Sequence, residues 1–383
     1  MTNAMNQTYF ITPHDVLFLR GNKDFGAAGS FGEASMPPLP SVFAGALRSA
    51  LLTRDGTDLV AFKNTPHPTL GTPSNPGNFY LRGLRLARTV RGTVECVYPM
   101  PADVRVSISD AQKTNIRPIA PTVLHPKLQS SAATAQLAVL PEPTRSKPVN
   151  GSWLSQTGWA AYLNGQALTA SHLVKQSDLW QIQSRVGIGM SSKTRSVEEG
   201  KLFTTEAVCF HAGVGFVVDT AGADFAAVDL LRLGGDGRSA AMQAITEPTI
   251  APDYTAIANA KRCRLILTTP GLFAHGWQPT GSSVINGELH LNLHGVSGRI
   301  VCAAVPRFDV ISGFDLATRQ PKTAERAAPT GCVYWLDDLQ LTSDATGTLA
   351  DALRKLAEHG LWEASEHNTA RRAEGLNRVA VGC

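Results

Sequence analysis

Short apolar runs, each cut off by glycine or proline, dominate this chain, and few stretches carry a helical period. Leu84 and Leu86 alternate with Arg85, and Val94, Cys96 and Tyr98 continue the alternation. Strand-type runs also cover 9–12, 202–210, 213–219, 264–268, 288–293, 300–305 and 331–336. After Pro37-Pro38-Leu39-Pro40, the residues Val42, Phe43, Ala46, Leu47, Ala50 and Leu51 recur at helical steps, with Ser41 placed as cap and Gly56 as stop. A late helix is expected over 349–359, capped by Thr348 with Asp351 and ended by Gly360. Further helices are expected over 170–183 and just after 233–238, and loops over 110–150, which is rich in proline, and over the glycine-spaced stretch 187–200. Strands mixed with a few helices, without regular βαβα alternation, indicate an α+β fold.

Composition excludes several classes. With 383 residues and 43% hydrophobic content, the chain can bury sizeable cores without staples. Cys96, Cys209, Cys263, Cys302, Cys332 and Cys383 are too far apart for a zinc knuckle or a CxxC pair, which argues against a disulfide scaffold and for a reducing, cytoplasmic setting. No apolar run reaches the ~18 residues of a membrane span, and the N-terminus lacks a signal-peptide pattern. The formal charge is only +4, but 24 of the 35 basic residues are arginine. Arginine's planar fork suits phosphates and stacks on bases; GC-rich codon usage would raise arginine equally.

Catalytic signals are weak. Gly213-Val214-Gly215 has Val218 where a dinucleotide fingerprint needs glycine, and Gly234-Gly235-Asp236-Gly237-Arg238 lacks the Lys-Ser/Thr of a phosphate loop. His290 and His294 lie in an alternating run, and four strand residues span ~13 Å, too far to share one ion. Asp337-Asp338 reads as a turn pair, and no GxSxG elbow occurs. No catalytic residue, metal or cofactor is therefore assigned. The basic clusters say more: Arg82, Arg85, Arg88 and Arg91; Lys193-Thr194-Arg195 near Arg185; and Arg371, Arg372 and Arg378 around Gly375 and Asn377. Each alone fits a solvated surface, and together they fit RNA binding equally well.

The order of these segments is more specific than any one of them. Leu17-Phe18-Leu19-Arg20-Gly21-Asn22-Lys23-Asp24-Phe25, then Pro40-Ser41-Val42-Phe43-Ala44-Gly45-Ala46-Leu47-Arg48, resembles the opening of RAMP-superfamily proteins of type III CRISPR effector complexes. Pro99-Met100-Pro101-Ala102-Asp103, Arg185-Val186-Gly187-Ile188-Gly189 with Glu199-Gly200-Lys201-Leu202-Phe203, and Leu233–Arg238 are similar to later motifs of the same family. So are Ser312-Gly313-Phe314-Asp315 and the ending Glu374-Gly375-Leu376-Asn377-Arg378. Phe203, Phe314 and Asp236 stand where the family pattern has Tyr, Trp and Glu. Within the superfamily the chain resembles the third-subunit family of the type III-B Cmr complex.

That resemblance implies two ferredoxin-like (RRM-like) domains with long loop or hairpin insertions: 1–200, with a proline-rich insertion near 110–150, and 201–383, with a glycine-rich tail. It implies a non-catalytic, cytoplasmic subunit in antiviral defence that binds the 5′ handle of crRNA. Its other partners would be the large polymerase-like subunit and a neighbouring backbone RAMP subunit, with target RNA met only through the complex and no membrane contact. The residues expected at RNA are Arg20, Lys23, Arg48, Arg185, Lys193, Thr194, Arg195, Gly234, Gly235, Arg238, Asn377 and Arg378. Of these, Arg20, Lys23, Arg48, Lys193, Arg195 and Arg238 are expected to converge around the handle. The alternative is a crRNA-processing endoribonuclease of the same superfamily, with His14 as candidate general acid or base.

Overall fold

A computed structural model describes residues 6–19, 31–73, 75–108, 114–125, 127, 130, 133–142, 147–246, 248, 250–315, 320–363 and 369–383. The chain forms two compact units that interleave along the sequence. One is built from Met1–Val94, Gln176–Glu247 and Ile311–Ala324, the other from Glu95–Lys175, Pro248–Val310 and Glu325–Cys383. The expected single boundary at 200 is thereby corrected, since that position falls inside the strand Val197–Phe210. Sheets pair strands that are distant in sequence, so a linear cut through the middle of the chain would divide both units.

In the first unit, Tyr80–Val90, Val214–Ala221, Gln7–Pro13 and Ser239–Ile245 lie side by side in that order, with Leu230–Arg232 at the edge, and every pairing is antiparallel. Number the first four strands by their order in the chain. The sheet order is then second, third, first, fourth. The helix Pro40–Arg54 buries Phe43, Leu47 and Leu51, and Phe43 packs 4.8 Å from Phe216 between ring centroids. Its first turn differs from expectation. Leu39 is the N-cap without a side-chain hydrogen bond, and Pro40 occupies the first turn, where its missing N–H costs nothing; Ser41 does not cap.

The second unit repeats the order. Arg262–Leu267, Val296–Ala304, Val333–Leu341 and Val379–Gly382 are first to fourth in the chain and again stand second, third, first, fourth in an antiparallel sheet. Glu288–Leu293 and Ser282–Ile285 extend it through two-residue turns, Asn286-Gly287 and His294-Gly295. All four turn residues have positive φ, as type I′ hairpins require. The first unit keeps a helix between its first and second strands, whereas this one keeps Leu349–His359 between its third and fourth. That helix buries Leu353 and Leu356 against Leu265, Tyr334 and Leu336.

Its caps are those expected. Asp351 N–H donates to Thr348 Oγ1 at 3.2 Å, and Thr348 N–H donates to Asp351 Oδ2 at 3.1 Å; Thr348's donors hold the Asp351 carboxyl below its ordinary range. Thr348→Ala should therefore lower stability by about 1 kcal/mol in a urea titration of the whole chain. An unchanged midpoint would mean the cap contributes nothing.

Three local expectations are corrected, and one helix went unread. Residues 170–183 hold two 3₁₀ turns, a short strand Leu173–Lys175 and the start of the strand Trp180–Met190, not a helix. The expected helix after 233–238 is the strand Ser239–Ile245. The 110–150 stretch contains the strands Thr114–Pro118, Ala120–Val123 and Gln136–Val139, the first pairing with Val104–Ile108 and the other two with each other. A helix missed in the sequence, Gln156–Leu163, starts at Ser155, whose hydroxyl accepts from Gly158 N–H.

Candidate nucleic-acid interface

The stretch 187–200, expected as a loop, is the outer part of a hairpin arm in the first unit, to which Phe31–Gly32 adds a short parallel third strand at Thr204-Thr205. Trp180–Met190 pairs with Val197–Phe210 from Trp180↔Phe210 at the root to Met190↔Val197 near the tip. Two glycines in one strand disguised it. A Cβ on Gly187 would meet the Phe203 ring at 2.3 Å, and one on Gly189 would meet Lys201 Cβ at 2.7 Å. The cross-strand side chains fill the space the glycines leave, which is the use of glycine inside a strand.

Cross-strand partners share a face, and the two faces of the arm differ. One carries Val186, Ile188, Leu202, Met190 and Val197, all between 48% and 70% exposed. The other carries Arg185, the Phe203 ring over Gly187, and Lys201, which pairs with Glu198. At the exposed tip, Ser191 and Ser196 hold the turn: Arg195 N–H donates to Ser191 O at 2.9 Å, and the Thr194 and Ser196 hydroxyls lie 2.7 Å apart. Lys193, Thr194 and Arg195 all face solvent there.

At the arm's root, Leu17 exchanges both backbone hydrogen bonds with Val208, at 3.0 and 2.8 Å, and Gly235 N–H donates to Phe18 O at 2.8 Å. Gly234 takes φ 76°, and a Cβ there would lie 3.0 Å from that same carbonyl. The glycine loop is thus drawn tightly onto the Leu17-Phe18 segment. This close approach brings two arginines to one ring: Arg238 has its guanidinium carbon 5.3 Å from the Phe18 centroid and Arg185 has its own at 5.8 Å. Arg238 also pairs with Asp15 at 2.5 Å and approaches Asp236 at 3.8 Å. Among the described residues, Arg185, Lys193 and Arg195 meet no carboxylate within ion-pair distance. The result is a basic face around the partly exposed Phe203 ring, with Phe18 buried beneath Arg185 and Arg238, an arrangement suited to phosphates with one ring open to a base.

The structure sorts the sequence-predicted residues unevenly. Arg185, Gly234, Gly235 and Arg238 come together around Phe18, and Lys193, Thr194 and Arg195 share the arm's tip. Arg48 stands over a different ring, Phe79, at 5.7 Å. Arg20, Lys23 and the rest of 20–30 lie outside the described residues. Asn377 and Arg378 are a correction. Asn377 is 0% exposed, its side chain accepting from Leu272 N–H and donating to Leu272 O and Leu361 O, while Arg378 donates to Glu358 O at 2.6 Å. They are buried and tie the tail into the second unit. Sequence reading missed Phe18 and Phe203 as the rings that Arg185, Arg238 and Gly187 contact. The only sequence signal is their place inside motifs already noted, beside the arginine and glycines they contact.

Among the described residues no cluster of three or more His, Cys, Asp or Glu side chains could hold a metal ion, and no helix is long and apolar enough to cross a membrane. His14 is exposed, and its Nδ1 lies 3.2 Å from Ser239 Oγ. Comparison with known families gives a match over residues 9–363 to the CRISPR-associated protein family Cas_Cmr3. The chain belongs to this family. For this Cmr3-family chain no curated protein matches, but solved structures do. A cryo-EM structure of the Type III-B Cmr-beta bound to cognate target RNA and AMPPnP contains a chain 14% identical, with 98% of each chain covered and a TM-score of 0.51. A second, of the Type III-B Cmr-beta bound to cognate target RNA, is also 14% identical, covers 86% of each chain and has a TM-score of 0.46. At such identity the first likeness concerns the fold.

Proposed function

We propose that this Cmr3-family protein is a non-catalytic, RNA-binding subunit of a type III-B CRISPR effector complex, binding the 5′ handle of crRNA. The observation that carries the reading is the arm with two unlike faces. Its basic, aromatic face continues into the Phe18 cluster, where Arg185 and Arg238 flank one ring. Its apolar face is a contiguous row of exposed side chains that a monomer would have reason to cover. We assign the first face to the handle and the second to protein neighbours, the large polymerase-like subunit or an adjoining backbone RAMP subunit. Target RNA is met only through the assembled complex. The repeated strand order, second-third-first-fourth, supports reading each unit as a ferredoxin-like fold that has kept one of its two helices.

The nuclease alternative has less to stand on. His14 has a hydroxyl as its polar neighbour, and the adjacent Asp15 is engaged by Arg238. Incubation with repeat RNA in EDTA should leave the RNA intact, and specific cleavage abolished by His14→Ala would overturn the non-catalytic reading.

Handle binding is tested by fluorescence anisotropy with a labelled 5′-handle RNA. Arg195→Ala should weaken binding by about 1 kcal/mol, the size of one charge-assisted contact. Arg354→Ala should not, because Arg354 pairs with Asp351 on a solvated helix of the other unit. Equal losses would remove the arm from the RNA face.

A further inference from the structure

The second unit carries an arginine–aromatic patch that the reading above does not use. Phe308 is 46% exposed, and the guanidinium carbon of Arg326 lies 4.7 Å from its ring centroid. Arg307, the next residue in the chain, is also exposed, as is Arg326. In this unit Arg262, Arg264, Arg299, Arg354 and Arg371 each have a carboxylate within 4 Å. Arg307 and Arg326 have none among the described residues.

The two carboxylates adjacent in sequence do not offset this charge. Glu325 is taken by Arg371 at 3.0 Å, and Asp309 forms no ion pair with Arg307 or Arg326 among the described residues. A phenyl ring left half in water, with a guanidinium on it and a second uncompensated arginine beside it, lacks a reason in the packing of the unit. It has the composition of a base-stacking platform: a π-face that accepts any base, with cations for the adjoining phosphates.

We infer that Arg307, Phe308 and Arg326 form a second contact for single-stranded nucleic acid, with one unpaired base stacked on Phe308 and Arg326 and a neighbouring phosphate held by Arg307. The choice of ligand rests on the RNA-binding reading above, but the patch lies in the other compact unit from the arm and is tested separately.

The experiment uses the full chain and a single-stranded oligonucleotide containing 4-thiouridine, cross-linked by light, with the attachment sites mapped by mass spectrometry. Cross-links are expected on the peptide carrying Phe308, and they should persist in the Arg185→Ala/Arg238→Ala variant. In anisotropy with the same oligonucleotide, Phe308→Ala should weaken binding about tenfold without changing the salt slope, whereas Arg307→Ala should make the slope shallower by about 0.7. Phe308→Leu should be as weak as Phe308→Ala; rescue by leucine would make the ring a packing element and end the proposal. Cross-links confined to the arm would overturn the patch and leave the handle reading standing, and no cross-link anywhere would end both. Loss of a protein subunit from the reconstituted complex in Phe308→Ala, with RNA affinity unchanged, would also overturn it in favour of a protein contact.

Discussion

Arg264→Met is expected to cost about 3–5 kcal/mol of stability, the usual consequence of leaving a buried charge without its partner. Asp103 is 3% exposed and sits at the end of the proline turn Pro99–Asp103. Its Oδ2 accepts from Arg264 at 2.9 Å and its Oδ1 from the Tyr162 hydroxyl at 2.7 Å. Arg264 further donates to Tyr162 O at 2.9 Å and to Cys383 O at 2.5 Å, with its guanidinium carbon 4.3 Å from the Tyr162 ring centroid. One side chain thus joins a turn, a helix, a central strand and the tail. Burial pushes the Asp103 carboxyl up, and Arg264 and Tyr162 only partly draw it back. Removing Arg264 raises it further. A carboxyl whose folded pKa lies above its unfolded value favours the fold below the unfolded pKa and loses that favour as pH rises through the folded one. The variant's deficit should therefore be smaller at pH 4 than at pH 7 in paired urea titrations. A loss under about 1 kcal/mol would show that the cluster is not a staple, and a deficit that does not move with pH would exclude Asp103 as its cause.

The second large effect concerns RNA. The Arg185→Ala/Arg238→Ala double variant should bind handle RNA about 2–3 kcal/mol more weakly, roughly 30- to 150-fold, at about 1–1.5 kcal/mol for each charged contact. Its salt slope should become shallower by about 1.4, since a single-stranded contact contributes about 0.7 per phosphate. Lysine at both positions should restore part of the slope but little of the affinity, because an ammonium cannot stack on Phe18 as a planar guanidinium does. Full recovery with lysine would reduce the site to charge alone. A double variant that binds as the parent does would remove the Phe18 cluster from the interface.

Local features could be read from the residues alone. The helix Leu349–His359 was legible because its period, its Thr348–Asp351 box and its Gly360 stop all lie within one short stretch. The strands with strict alternation were legible for the same reason. The family resemblance could also be read, because it depends on the order of motifs along the chain.

What only the tertiary structure decided was which of those motifs meet and which are covered. The arm hid behind Gly187 and Gly189 because the Phe203 and Lys201 side chains that support them come from the opposite strand. Asn377 and Arg378 looked like a basic surface but are buried by segments more than 100 residues away in sequence, at Leu272 and Thr269. Phe18, Arg185 and Arg238 carry no mutual signal, yet backbone pairing of residues 17–18 with Val208 and Gly235 sets them around one ring. Hydrogen bonding along a helix or within a turn is local, so its residues announce it. Burial and ion pairing belong to contacts between distant segments, and the chain acquires them only by folding.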